Sequence, residues 1–164
     1  GHAIEIRVYA EDPLNQFLPD VGKLKRYREP LGEGIRVDSG FVENMEIPIH
    51  YDPMLAKLIV HGSNREEAIQ KTLKALNEYE IEGVSTTLDF CRFVLTHNSF
   101  LDGSFTTRFV EQFFKPEFLR DQVPQNIEAI AAAVASELIH RHSNLNGKEL
   151  TKNSLSSWQL RQGF

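Results

Sequence analysis

The chain has 164 residues, of which 41% are hydrophobic and 25% charged, with a formal net charge of -5 at pH 7. That suits one compact globular domain with room for an appendage. The negative balance gives no reason to expect nucleic acid or an anionic membrane as a partner. No apolar run approaches membrane-spanning length, and the start lacks the basic-then-apolar pattern of a signal peptide. One cysteine, Cys91, cannot form an internal disulfide. Its neighbours follow an amphipathic helical pattern, so a buried structural thiol in a reducing compartment is expected. The chain opens at Gly1 and enters a strand pattern at once, which predicts a piece of a longer protein.

In His2–Ala10, Ile4, Ile6 and Val8 alternate with Glu5, Arg7 and Tyr9, the period of a strand with one buried face. Glu11-Asp12-Pro13 closes it with turn chemistry. Leu24–Arg28 and Gly34–Asp38 read as two short strands, and the basic run Lys23, Lys25, Arg26 and Arg28 as a solvated strand face. Ile47-Pro48-Ile49 is edge-like because proline lacks a ladder donor. Met54–His61 is the clearest core strand.

Helices follow. Ser63 with Glu66 predicts a capping box in front of a helix over Asn64–Glu80, with Ile69, Leu73, Leu76 and Tyr79 at helical spacing. Ile81–Val84 is a short extended passage. Thr86 is placed to cap a helix carrying Leu88, Cys91, Val94 and Leu95 that runs out near Asn98. Phe105–Phe114 predicts another short helix with Phe109 and Phe113 on one face. Residues 1–120 are therefore expected to form an α+β unit, an antiparallel sheet of short strands followed by packed helices. Residues 121–164 are expected to form a helical extension and linker. Within them Asn126–His142 carries Ile127, Ile130, Val134 and Leu138 along one stripe. Residues 143–164 are polar, and Trp158 reads as the first anchor of a further domain.

The chemistry-bearing candidates stand where strands end or face solvent. Glu5, Arg7 and Tyr9 share a strand face, and an arginine fixed on a sheet is a rigid planar cation suited to an oxyanion or carboxylate. An ordinary surface Arg–Glu pair accounts equally for that spacing. Arg36 and Asp52 sit where strands meet turns, able to pair with each other or across a subunit boundary. No Gly-rich phosphate loop precedes a helix. His140 and His142 diverge on a helix, His2, His50, His61 and His97 have no metal-ligand spacing with Cys91, and no nucleophile–base arrangement has context. No metal site is expected.

Five ordered blocks carry a family resemblance: GHAIEIRVYAEDP, FLPDVGKL, GIRVDSG, HYDPMLAKLIVHGSNREEAI and EGVSTTLDFCRFVLTH. Across residues 1–115 the chain resembles the C-terminal domain of biotin carboxylases, ligases of the ATP-grasp superfamily. These use ATP, bicarbonate and magnesium or manganese to make carboxybiotin through carboxyphosphate. The resemblance implies that Arg7 is the catalytic arginine beside the biotin ureido group, where a fixed guanidinium stabilises enolate charge. It implies that Arg36, Asp52 and Glu78 lie at the biotin side or the dimer contact, and that Thr107 lies at the nucleotide edge. The family's Gly-rich lid, ATP-binding lysines, metal-binding glutamates and bicarbonate-binding N-x-R-x-Q-x-E run all precede this region. The chain alone is therefore expected to be inactive and to hold no cofactor.

The wording RVYAEDP, GIRVDSG and YDPMLAKL, and the tail ending in SSWQL, resemble the α subunits of propionyl-CoA and related acyl-CoA carboxylases. The implied partners are the ATP-grasp part of the same polypeptide, a second copy in a homodimer, a biotin carrier domain and a carboxyltransferase β subunit. The implied compartment is the cytoplasm, or the mitochondrial matrix in a eukaryote. Two alternatives stand beside this: an interaction or dimerisation module without catalytic residues, and the equivalent piece of pyruvate or urea carboxylase.

Overall fold

The computed structural model describes residues 1–48, 52–120 and 130–139. Residues 1–122 and 123–164 form two compact units. The first is α+β, as expected, with its strands in three small antiparallel sheets.

The main sheet has three strands, β1 (His2–Tyr9), β5 (Ile35–Ser39) and β6 (Met54–Gly62), in the order β1-β6-β5. Ile4 pairs with Val60, Ile6 with Leu58 and Val8 with Ala56, and a bulge then sets Tyr9 against Met54. On the other side of β6, Ile35 meets Val60 and Val37 meets Leu58. Because strand side chains alternate, one register puts all these apolar residues on one face. Val8, Leu58 and Val60 there have no exposed surface.

That face is covered by α1 (Arg65–Glu78), which buries Ala68, Ile69, Thr72, Ala75 and Leu76. The start of α1 differs from the expected Ser63/Glu66 box by one residue. Asn64 is the cap, accepting the Glu67 N–H at 2.9 Å, and Glu67 reaches back to accept the Ser63 N–H at 2.8 Å. The Ser63 hydroxyl also donates to Glu67. The same reciprocal chemistry operates, with Asn64 in the cap position, so the helix begins at Arg65 and ends at Glu78. Lys71 first, at 2.8 Å, and then Ser63 hold the Glu67 carboxyl down at about 2.

Two smaller sheets brace the edges. β2 (Glu11–Asp12) pairs with β3 (Leu18–Pro19) around a 3-10 turn over Pro13–Asn15. β4 (Arg26–Arg28) pairs with β7 (Glu80–Glu82), and Arg26 bridges to Glu80 across that ladder. Tyr27 on β4 meets Tyr79 hydroxyl to hydroxyl at 2.7 Å and Ser39 at 2.7 Å, a polar chain between β4, the end of α1 and the end of β5. Desolvation pushes both phenols above their ordinary range. Gly83, at φ +107, has a cause in space: a Cβ would lie 2.1 Å from the Lys23 carbonyl oxygen. Gly34, at φ +77, is crowded in the same way by the His61 carbonyl.

Several expected boundaries move. Glu46 makes only an isolated bridge to Lys23, and Ile47 drops into the core at 2% exposure instead of joining a sheet edge. Thr86 is not the cap of α2 (Leu88–Thr96); Thr87 precedes it, and its hydroxyl accepts the Tyr9 N–H instead. A separate α3 (Asn98–Leu101) follows. The helix expected over Phe105–Phe114 is confined to α4 (Phe109–Phe113), and α5 (Glu117–Arg120) comes next. Aromatic edges join α2 to these: Phe90 meets Phe114 at 4.9 Å and Phe93 stacks on Phe118 at 5.7 Å. Cys91 is partly buried, and desolvation pushes its thiol up to about 12.

In the second unit residues 130–139 are helical, and Ile130, Val134 and Leu138 are each more than half exposed. Ile127, His140, His142, Trp158 and the stretch 143–164 lie outside the described residues.

Candidate functional site on the open face of the main sheet

The register that buries Ile6 and Leu58 turns the intervening residues to the opposite face. There Arg7 stands against Lys57, and Lys57 against Asp38 on the next strand. The neighbouring row holds Glu5, Ile59 and Arg36. Six side chains from three strands thus share the face opposite α1.

Arg7 is held from its own strand. Its Nε lies 3.4 Å from Glu5 Oε1, and the side chain remains 60% exposed. Hydrogen bonding to Tyr9, then to Glu5, raises the guanidinium above its ordinary pKa. Lys57 directly opposite is a like-charged cross-strand neighbour, an arrangement that costs stability unless an anion or acceptor sits nearby. Lys57 is the residue that sequence reasoning missed. The signal was present: a single lysine interrupts the apolar run MLAKLIVH.

Arg36 does not pair with Asp52. Its Nε and Nη2 face the two Asp38 carboxylate oxygens, each at 3.2 Å, a fork two residues apart on β5. Asp52 lies just before β6, beside the end of β1, where its carboxylate accepts the Met54 N–H at 2.9 Å. Burial, and then the Asp52 charge, raise the nearby Glu11 carboxyl. Arg7 and Arg36 are thus brought to one face and Asp52 to its rim. Glu78 lies on α1, which covers the other face, and is ion-paired with Lys74 at 3.8 Å. Thr107 lies in an exposed turn ahead of α4.

A cleft of ≈ 520 Å³ adjoins this face. Asp38, Glu46 and Lys57 are its charged residues, and Phe41, Met45, Pro48 and Met54 supply apolar walls. A mostly apolar concavity with a few convergent polar groups is the usual form of a small-molecule site. Among the described residues no group of three His, Cys, Asp or Glu is placed to hold a metal ion, and no helix is long and apolar enough to cross a membrane. The open face thus carries three cations, Arg7, Lys57 and Arg36, each with a carboxylate beside it or across the ladder.

The molecule is an α+β domain whose main sheet leaves one face open, with Arg7, Lys57 and Arg36 on it. The family model "Biotin carboxylase C-terminal domain" matches residues 5–112, and the chain belongs to that family. The chain is 49% identical over 113 residues to a pyruvate carboxylase polypeptide of Methanothermobacter thermautotrophicus, a match covering 69% of this chain and 23% of that protein. It is 38% identical over 169 residues to the human mitochondrial propionyl-CoA carboxylase alpha chain, covering 98% of this chain and 23% of that one. Among solved structures, the biotin carboxylase domain dimer of Hydrogenobacter thermophilus 2-oxoglutarate carboxylase, in complex with MgADP, ADP and bicarbonate, superposes with a TM-score of 0.65 at 42% identity. That match covers 66% of this chain and 24% of the other. The chain therefore spans about a quarter of the length of the carboxylases it matches.

Proposed function

We propose that this chain is the C-terminal portion of a biotin carboxylase, contributing to the ATP- and bicarbonate-dependent carboxylation of biotin. Family membership supports the reaction class, and one observation on this chain carries the rest: Arg7 projects from the open sheet face directly opposite Lys57, which lines the cleft. Loss of the ureido N–H proton to a base in the remainder of the polypeptide would place negative charge on the ureido oxygen, and that charge would pass to the new carboxylate as the nitrogen attacks CO2 released with phosphate from carboxyphosphate. A guanidinium carried on a sheet strand, with Glu5 beside it, is placed to meet that charge, and a pre-positioned donor is worth most there. Arg36 and Asp52 are assigned to the biotin side or the dimer contact, Glu78 to the dimer contact, and Thr107 to the nucleotide edge. Residues 1–120 act as the biotin carboxylase domain and 121–164 as an extension toward a downstream domain.

ATP, magnesium or manganese, and bicarbonate are bound by the remainder of the polypeptide, so the chain by itself has no ATPase activity. The relative solved with MgADP, ADP and bicarbonate, a domain dimer, supports both the ligands and the homodimer. The match to the propionyl-CoA carboxylase alpha chain runs across 98% of this chain, past residue 120, whereas the match to the pyruvate carboxylase polypeptide covers 69%. That favours an acyl-CoA carboxylase in the cytoplasm or the mitochondrial matrix, whose partners are a biotin carrier domain and a carboxyltransferase β subunit. The test is transfer of labelled bicarbonate to biotin by the full-length polypeptide with ATP and magnesium, followed by addition of its carboxyltransferase β subunit with propionyl-CoA, pyruvate or urea. Label in biotin that discharges to propionyl-CoA is expected. No ATP-dependent label in biotin contradicts the reading, and discharge to pyruvate or urea moves it to those carboxylases.

A further inference from the structure

The cation opposite Arg7 stands closer to its like-charged neighbour than to its oppositely charged one. In an antiparallel ladder, opposed residues alternate between hydrogen-bonded pairs, with Cα atoms about 5.5 Å apart, and non-hydrogen-bonded pairs, about 4.5 Å apart with closer side chains. Tyr9 donates its N–H to Thr87 Oγ1 and its C=O accepts the Thr87 N–H, so the odd-numbered residues of β1 turn their backbone away from β6. Arg7 and Lys57 are therefore a close, non-hydrogen-bonded pair. His61 donates to the Gly34 carbonyl at 2.8 Å, so the odd-numbered residues of β6 turn their backbone toward β5. Lys57 and Asp38 are therefore a wide, hydrogen-bonded pair.

Asp38 is also engaged elsewhere, since both of its carboxylate oxygens face Arg36, each at 3.2 Å. Arg7 has Glu5 at 3.4 Å. Of the three cations on the open face, Lys57 alone has a head group that no hydrogen bond or ion pair reaches among the described residues. Lys57 is half-buried and lines the ≈ 520 Å³ cleft together with Phe41, Met45 and Met54. Apolar surroundings of that kind strengthen any electrostatic contact the ammonium makes. Two cationic heads at the spacing of a close strand pair can share one acceptor oxygen between them.

We propose that Lys57 is a second catalytic cation, donating to the same ureido oxygen of biotin that Arg7 meets. The inference rests on the biotin carboxylase reading given above and deepens it. The two heads differ in kind: the guanidinium is a planar fork, and the ammonium is a compact point charge on a flexible stem. When the ureido N–H proton passes to a base in the remainder of the polypeptide, negative charge builds on an oxygen that lies between two cations. The nitrogen then attacks CO2, the new C–N bond forms, one C=O electron pair of CO2 becomes the carboxylate charge, and the ureido carbonyl is restored. Repulsion between Arg7 and Lys57 costs stability when no anion lies between them. It falls as the oxygen becomes charged, so the pair stabilises the charged state more than the neutral one.

Equilibrium binding of biotin and of 2′-thiobiotin, in which sulfur replaces the ureido oxygen, to the full-length polypeptide tests the contact apart from turnover. Sulfur is a weak acceptor, so a donor aimed at the oxygen shows itself as a preference for biotin. Lys57→Met is expected to weaken biotin binding about tenfold, the loss of one hydrogen bond from a charged donor, and 2′-thiobiotin binding less than about threefold. Lys57→Arg keeps the charge and is expected to retain the preference for biotin. Equal weakening of both compounds by K57M makes Lys57 a structural residue, paired with a carboxylate in the remainder of the polypeptide, and overturns the inference. Undiminished biotin binding in K57M overturns it as well. Lys57→Gln, which keeps a polar stem, carries the same expectations where the methionine variant does not fold. Wild-type protein that binds neither compound removes the proposed function itself, whereas a preference for biotin that survives K57M removes only the role of Lys57.

Discussion

The two faces of the β1-β6-β5 sheet are built from the same strands by the same alternation, yet they are opposites. One carries Ile4, Ile6, Val8, Leu58 and Val60, each less than a tenth exposed, against α1. The other carries Glu5, Arg7, Lys57, Arg36 and Asp38, paired along their strands or facing a cleft. Burial on the first face supplies stability, roughly 1.5–3 kcal/mol for each large apolar side chain fully removed from water. The ion pairs on the second are exposed and contribute little to stability. The sheet thus separates a buried support from an exposed charged face, with a single residue step between them.

Substitutions across this divide sharpen the contrast. Leu58→Ala, on the buried face with no exposed surface, is expected to cost about 2–5 kcal/mol in urea unfolding. A midpoint unchanged from wild type would show that the packing of α1 on the sheet is not the core. Lys57→Met, one residue away, is expected to leave unfolding nearly unchanged or slightly improved, because it removes the like-charged neighbour of Arg7. In the full-length enzyme the same change should raise KM for biotin, and Lys57→Arg should restore it. Asn64→Ala, at the start of the supporting helix, is expected to cost about 1 kcal/mol in the same unfolding assay.

The smallest effects are those of pH. Glu67 has its folded pKa lowered from 4.5 to about 2, so the stability it contributes is present above 4.5 and is lost as pH falls toward 2. Glu67→Gln should flatten the stability profile in that window and leave it unchanged at neutral pH apart from a constant offset. Cys91 runs the other way. Its folded thiol is raised from 9 to about 12, so unfolding releases a proton above pH 9 and stability declines between 9 and 12. Reaction with a thiol reagent at mildly alkaline pH should therefore be slow in the native protein and immediate in urea; rapid native labelling would show the thiol to be accessible and ionisable.

How much of this is legible in the sequence follows the same divide. The alternation in His2–Ala10 and the apolar run at Met54–His61 announce the main sheet, since a two-residue period leaves one face to bury. The cap of α1 falls one residue later than expected because Ser63 and Asn64 both favour that position, and Glu66 and Glu67 both follow at capping distance. Ile47 departs from its expected edge position because the neighbouring proline limits only the backbone, while the side chain fills the core. The helix at Phe105–Phe114 is shorter because the turn at Thr106–Arg108 takes its first residues. For the site, Arg7 and Arg36 can be assigned to exposed strand positions from alternation alone. Their common face depends on the register of β5 against β6, a long-range pairing that local pattern does not encode. Lys57 joins them for the same reason, and Glu78 falls on the opposite layer because the helix carrying it packs beneath the sheet.

Separation of support from chemistry is tested most directly by Arg7→Ala in the full-length enzyme, with thermal unfolding and biotin-dependent ATP cleavage measured on one sample. ATP cleavage is expected to fall on the order of 100-fold, with the unfolding midpoint unchanged. Undiminished cleavage, or a loss matched by a lowered midpoint, would contradict a catalytic role for this guanidinium.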